Sequence, residues 1–250
     1  MEFVKYPPTL PLEGSGMPRG QASEGQVPFA SLGGDVVIEE KLDDTQLGIS
    51  YTDDGELALQ SRGGEIDLSS TEFAGLTWWY GARENAVFDR LGSRYILFGA
   101  WMRHAHTIFY DTLPDVFMEY DVYDRERGAF LDTPGRYALL DGLGICHVPV
   151  LATAPLRDAI AAQNWILPSL YRSPKWEEVA AATASDRGLA HERERFEGSR
   201  YGEGLYVKRE EGGVVTGRYK FIRPEFLGHI QNLGQHWRSL PSIPNVVDFG

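Results

Sequence analysis

Apolar and polar residues alternate at both ends of the chain and take helical spacing between them, which restricts the sequence to one class of architecture. VVIEEK (36–41), LGISYT (47–52) and ELALQSR (56–62), with the DDG turn at Asp53–Gly55, predict strand, strand, turn, strand in an antiparallel meander. Near the other end, EGLYVKREEGGVVTGRYKFIR (203–223) predicts a hairpin around Gly212 and Gly213. RYILFGAWM and DVFMEYDVYD add two more strands. Between them the stretch from Ser70 to Leu91, APLRDAIAAQNWIL and SPKWEEVAAATASDRGL carry helix signals, and PEFLGHIQNLGQHW closes the pattern as a further helix. Strands at the ends with helices between make the fold class α+β, with mainly antiparallel sheets.

The 250 residues are long enough for one large domain, and we read a single unit over 1–250. Residues 1–34 form an irregular segment, rich in Pro, Gly, Ser and Glu from position 7, and 223–250 form the closing helix and tail. A single cysteine, Cys146, excludes an internal disulfide framework and any multi-cysteine zinc site; packing is its simplest role. The start, MEFVKYPPTLPLEG, lacks the basic and apolar regions of a signal peptide, and no apolar run reaches membrane-spanning length. The expectation is a cytoplasmic protein with no membrane partner. A net charge of -12 argues against nucleic acid on its face, because phosphate binding rests on Lys and Arg. Basic residues nonetheless recur in RLGSRY, DRERG and VKREEGGVVTGRYKFIRP, which leaves room for a basic groove on an acidic body.

Lys41 is the most informative position. It ends an apolar strand and begins a turn, at the rim of a sheet, where sites are commonly built. An amine becomes a nucleophile when its pKa is lowered by burial or a neighbouring cation, and phosphoryl chemistry then needs further cations to hold the transferring charge. Glu203, Lys208, Arg218 and Lys220 supply charged groups far along the chain. Arg218 and Lys220, two apart on a strand, share a face. Gly202 and Gly204 flank Glu203 and permit close backbone approach.

Taken together these strings resemble a known series. KLDD at 41–44, SRG at 61–63, LFGAW at 97–101, MEYDVY at 118–123, EGLYVK at 203–208 and GRYKF at 217–221 resemble, in order, the motifs of lysine-adenylating ligases. They look most like the ATP-dependent RNA ligase family of phages and bacteria. The opening KYPPTLPLEGS, the middle HVPVL and the closing HW and LPSIPN are similar to its bacterial branch. The resemblance implies a nucleotidyltransferase (adenylation) domain without an OB-fold. It also implies a three-step reaction in which Lys41 takes AMP from ATP, AMP passes to an RNA 5′-phosphate, and a 3′-hydroxyl displaces it. Magnesium and ATP are the implied cofactors, RNA and ATP the partners, and a separate end-processing protein a further expected partner. By position, Arg62 matches the arginine near ribose and phosphates, and Tyr120 the aromatic that stacks on adenine. Glu40 sits where the backbone reads the adenine edge, with Lys208 also on the nucleotide side. Glu203 matches the carboxylate near the nucleophile, while Arg218 and Lys220 match the basic pair on the α-phosphate. The resemblance assigns no protein metal ligand.

Two positions depart from the motif series. Asp44 replaces a glycine, so an Asp at positive φ and an added negative charge beside the phosphates are expected. Ala100 replaces a glutamate that accepts hydrogen bonds from the ribose. The alternative function is a non-catalytic nucleotide- or RNA-end-binding relative. His104 and His106, two apart, lack a third ligand nearby for a metal site. Trp78, Trp79 and Trp101 read as core filling, and HERERF and KREEGG as solvated charge runs.

Overall fold

The computed structural model describes residues 4–17, 25–234 and 239–248. In chain order the strands are β1 (Leu10–Pro11), β2 (Asp35–Lys41), β3 (Thr45–Tyr51), β4 (Leu57–Ser61), β5 (Gly64–Glu65), β6 (Tyr95–Trp101), β7 (Phe117–Asp124), β8 (Ala129–Phe130), β9 (Cys146–His147), β10 (Val150–Pro155), β11 (Gly204–Glu211) and β12 (Val214–Ile222). The helices are α1 (Leu76–Gly81), α2 (Glu84–Leu91), α3 (Thr133–Leu140), α4 (Ala159–Trp165), α5 (Trp176–Ser185) and α6 (Pro224–Leu233). Two sheets result, one in the order β1-β12-β11-β2-β10 and the other β5-β4-β3-β6-β7-β8 with β9 beside β7. Pairing is antiparallel except for β1 with β12 and β7 with β9. Antiparallel sheets flanked by helices are the α+β class that the alternation implies, and neither sheet closes into a barrel.

The period-two alternation places each sheet between two environments. On the first sheet Val36, Ile38, Leu205, Val207 and Phe221 point outward and pack with Leu156, Ala162 and Ile166 around α4. On the second, Leu47, Ile49, Leu97, Trp101 and Phe117 pack against Leu76 and Trp79 of α1, Val87 and Leu91 of α2 and Leu140 of α3. The inner faces carry charge instead. Arg136, fully buried, bridges Glu39 of β2 and Glu119 of β7, and Lys208 of β11 spans Glu39 at 2.9 Å and Asp121 at 3.2 Å. Two cations set among three carboxylates offset most of one another's charge, which is the condition for burying any of them.

Several expectations change. The meander is divided: β3 and β4 form a hairpin in the second sheet, whereas β2 pairs with β11 and β10 in the first. Residues 42–44 therefore cross between sheets, drawn by burial of Leu42 against Ala100, Met118 and Ile222. The stretch 70–91 is a 3-10 turn at Thr71–Phe73 followed by α1 and α2, divided at Gly75 and at Ala82–Arg83. The N-terminal segment, largely irregular, contributes β1 to the edge of the first sheet; residues 1–3 and 18–24 of it lie outside the described residues. Helix α6 stops at Leu233, and the expected continuation through His236 and Trp237 also lies outside them. α3, absent from the sequence reading, starts from the Asp132 side-chain cap on the Gly135 N–H and carries Pro134 in its first turn.

HERERF is not a solvated run. Arg195 is buried and donates to the carbonyls of Pro241 and Ala105, with Phe196 buried beside it. Trp79 and Trp101 fill the core, but Trp78 is 79% exposed. Cys146 is half-buried against the cluster around Leu42 and Met118. Among the described residues no helix is long and apolar enough to cross a membrane.

Candidate functional site

The crossing at 42–44 opens a cavity between the two sheets, lined by Tyr6, Thr9, Glu40, Lys41, Leu42, Asp44, Arg62, Ala100, Tyr120, Val148 and Tyr206. Lys41 is the last residue of β2 and pairs in register with Gly204 of β11, so its side chain shares the inner face with Glu39. Its ammonium donates to Glu203 Oε2 at 2.7 Å. That contact joins two residues 162 apart in sequence, and β2–β11 pairing is what makes it. The glycines beside Glu203 are sterically required. A Cβ on Gly202 would come within 2.9 Å of the Glu40 carboxylate, and one on Gly204 would lie 2.0 Å from the Phe221 carbonyl oxygen.

Asp43 pins the crossing. Its Oδ2 accepts the backbone N–H groups of Thr107 and Ile108 at 2.7 and 2.8 Å, and its own N–H donates to the Tyr110 hydroxyl at 2.9 Å. Burial opposes ionisation of Asp43, but His106 and these amides hold its pKa below the ordinary value. His106 and His104 thereby have other partners than a shared metal: His106 faces Asp43 and Thr45, and His104 bonds the Thr71 carbonyl and Ser242. Asp44 does not sit in a strained turn, since no described non-glycine residue has positive φ. The glycine-to-aspartate change therefore acts through charge, not through backbone geometry.

Electrostatics of the pocket follow from three carboxylates around one amine. Burial pulls the Lys41 pKa down, yet Glu203, Asp44 and Asp43 outweigh it and hold Lys41 above the usual lysine value. Burial raises Glu203 to about 7, with Lys41 opposing and Asp43 and Asp44 adding to the rise. Asp44 is also raised, by burial ahead of the opposing attraction of Lys41 and Arg62. Lys41 at rest is thus a protonated amine, and the site carries surplus negative charge that favours binding a proton or a cation.

Glu40 occupies a second buried position. Its carboxyl is pushed up to about 7 by burial, against hydrogen bonds from Ser169 and Leu170. From the ordinary value of 4.5 to about 7 the folded chain holds a proton that the unfolded chain releases, so stability falls as pH rises through that window. Glu40→Gln is expected to flatten this slope and to gain about 2 kcal/mol at pH 8. Urea unfolding at pH 5 and pH 8 checks it; equal slopes in wild type and variant would contradict the assignment.

The remaining sequence-selected residues fall into two groups. Arg62 stands exposed at the cavity mouth, just past β4, and Tyr120 forms a wall. Lys208 and Arg218 lie one layer deeper. Lys208 is fully buried and also donates to the Tyr120 carbonyl, while Arg218 bonds Asp121 at 3.4 Å and stacks over Phe130 at 3.5 Å. Lys220 pairs in register with Tyr206 and so shares the pocket face of the sheet, as Arg218 does opposite Lys208. Sequence reasoning passed over Tyr6, Thr9, Asp43, Val148 and Tyr206. For Tyr206 the signal was available, since it lies two residues from Lys208 on one strand face; Tyr6 sits in a segment with no period to read.

The arrangement of two facing sheets with a lysine at their crossing is that of the nucleotidyltransferase-like fold of RNA ligases. A family model described as RNA ligase matches residues 34–222, and the chain belongs to that family. Among solved structures, a Naegleria gruberi RNA ligase mutant in the apo state is similar at TM-score 0.54 and 17% identity, covering 91% of this chain and 60% of that one. Another Naegleria gruberi RNA ligase mutant, with ATP and Mn, is similar at TM-score 0.53 and 19% identity, covering 90% and 59%. The chain therefore spans about three-fifths of the length of these solved proteins. No curated protein matches.

Proposed function

We propose that this chain is an ATP-dependent RNA ligase that works through a lysyl-AMP intermediate on Lys41. The observation that carries the reading is the Lys41 ammonium held 2.7 Å from a buried carboxylate inside a cavity walled by Tyr120 and opened by Arg62. The Lys41 nitrogen attacks the ATP α-phosphorus; an N–P bond forms and the bond to the pyrophosphate oxygen breaks. The proton that Lys41 must first release goes to Glu203, whose pKa near neutrality suits it to exchange protons at working pH. AMP then passes to an RNA 5′-phosphate, and a 3′-hydroxyl displaces it. Arg62 and, on the pocket face, Lys220 are the cations placed to hold phosphate charge, with Arg218 and Lys208 bracing the wall behind them. Glu40 presents the backbone edge to adenine.

The surplus of carboxylate over cation around Lys41 fits a divalent ion such as magnesium. No group of three or more His, Cys, Asp or Glu among the described residues forms a closed metal cage, so Glu203 would share such an ion with ATP phosphates. The ion would neutralise charge on the phosphates. At position 100 the methyl of Ala100 offers the ribose no acceptor.

Asp44 is a brake on the first step. It is one of the charges that keep Lys41 protonated, so Asp44→Gly lowers the Lys41 pKa and raises the free-amine fraction at neutral pH. With that charge gone, the adenylylation rate at pH 7 is expected to rise several-fold. The rate–pH profile of the variant is expected to lie to the acid side of wild type; coincident profiles would remove Asp44 from the explanation.

The overall reaction is tested with 5′-phosphorylated RNA, ATP and magnesium, separating joined from unjoined strands on a denaturing gel. Joined RNA that depends on ATP supports the ligase. Retained binding of ATP or RNA ends with neither joining nor covalent AMP would instead support the non-catalytic reading.

A further inference from the structure

Two walls of the Lys41 cavity, Tyr6 and Thr9, come from a segment that precedes the residues matched by the RNA ligase family model, which begin at 34. The segment is fastened to both sheets. The Val4 carbonyl accepts from Gln60 Nε2 on β4 at 2.9 Å, and Leu10–Pro11 pairs with Tyr219–Lys220 on β12. Residues 4–11 thus strap one sheet to the other across the edge of the pocket. At the middle of the strap, the Tyr6 hydroxyl donates to Asp121 Oδ2 and bonds the Tyr206 hydroxyl. Its ring meets Phe98, Phe130 and Tyr120 edge-on, at centroid distances of 5.0, 5.5 and 5.6 Å.

Asp121 makes this contact consequential. It is fully buried and receives Lys208, Arg218 and Tyr206 as well as Tyr6, so one carboxylate ties the strap, the basic strand β12 and the wall of β7 together. Burial first, and then the neighbouring Asp121 charge, hold the Tyr6 phenol protonated and therefore a donor. An aromatic edge against the Tyr120 ring fixes the rotation of a group that lines the cavity.

We propose that Tyr6 is a positioning residue of the nucleotide pocket: the N-terminal strap sets the Tyr120 and Tyr206 rings in the geometry that receives the base of ATP. This rests on the ATP reading above. Without the Tyr6 ring, Tyr120 gains rotameric freedom that nucleotide binding must then remove, a cost that falls on binding and not on the N–P bond-forming step at Lys41.

The test is single-turnover lysine adenylylation by the full chain over a range of ATP concentrations, in wild type, Tyr6→Ala, Tyr6→Leu and Tyr6→Phe. Tyr6→Ala and Tyr6→Leu are expected to raise the half-saturating ATP concentration about tenfold while changing the saturating rate less than about threefold. Tyr6→Phe, which keeps the ring and loses the hydroxyl, is expected to recover most of that affinity. Tyr6→Leu keeps apolar bulk and guards against a Tyr6→Ala chain that fails to fold. Half-saturation unchanged in the folded variants, with only a lower melting temperature, would overturn the proposal and leave Tyr6 as packing. Absence of adduct in wild type would instead overturn the ATP reading on which it rests.

Discussion

Lys41→Ala is expected to abolish covalent labelling by α-labelled ATP while the chain stays folded. The amine at 41 is the nucleophile of the proposed first step, and among the described residues that line the cavity no other is a lysine. The expected loss is at least a thousandfold, on the order seen when a covalent nucleophile is removed. Folding survives because the group left behind can adapt. Glu203, deprived of its 2.7 Å partner, already titrates near 7 and can take up a proton instead of remaining a bare buried charge. Lys41→Arg separates charge from nucleophilicity: arginine keeps the cation beside Glu203 but does not yield a free amine. It too should form no adduct, with a melting temperature nearer wild type than that of Lys41→Ala. Label retained at wild-type level in either variant would remove Lys41 from the chemistry.

Arg136→Ala is expected to cost about 3–5 kcal/mol of folding stability. The guanidinium is fully buried between Glu39 and Glu119, themselves fully buried on facing strands of the two sheets. Removal leaves two carboxylates at close quarters in the interior, with Lys208 at 2.9 Å from Glu39 and His147 at 2.6 Å from Glu119 as the remaining partners. Against a typical total of about 5–15 kcal/mol, such a loss brings the variant close to unfolding. Urea denaturation of Arg136→Ala measures it, and combining Arg136→Met with Glu39→Gln and Glu119→Gln should recover part of the loss, because the unpaired charges are gone. A single-variant cost below about 1 kcal/mol would show that the two sheets are not held by this bridge. The bridge also anchors the strand that carries Lys41, since Glu39 precedes Lys41 by two residues on β2 and shares its face.

What the sequence makes legible follows the range of each physical signal. Alternation has period two and needs only five or six residues, so β2, β3, β4, β6, β7, β11 and β12 can be read directly. Partnership has no such signal. Nothing local says that the strand ending at Lys41 leaves the strand beginning at Thr45, because both alternate equally well; the division comes from Leu42 seeking an apolar cluster built from residues 100 to 227. Buried charges mislead for the same reason. Arg136, Arg195 and Lys208 look solvated in sequence, and only distant partners make their burial possible, such as Glu119 and Glu39 for Arg136, 17 and 97 residues away. The candidate site was legible mainly through resemblance of ordered strings: of the residues they select, Lys41, Arg62 and Tyr120 line one cavity and Glu203 bonds Lys41. The depth of Lys208 and Arg218, and the part of Tyr6, depended on side-chain packing that strings do not encode.

The most direct measurement is the intact mass of the wild-type chain after incubation with ATP and a divalent cation, followed by peptide mapping. A gain equal to one adenylyl group, lost in the Lys41 variants and mapped to the peptide carrying Lys41, is the expected result. An unmodified chain under conditions where it demonstrably binds ATP, or an adenylyl group on any other residue, would contradict a lysyl-AMP mechanism at this site.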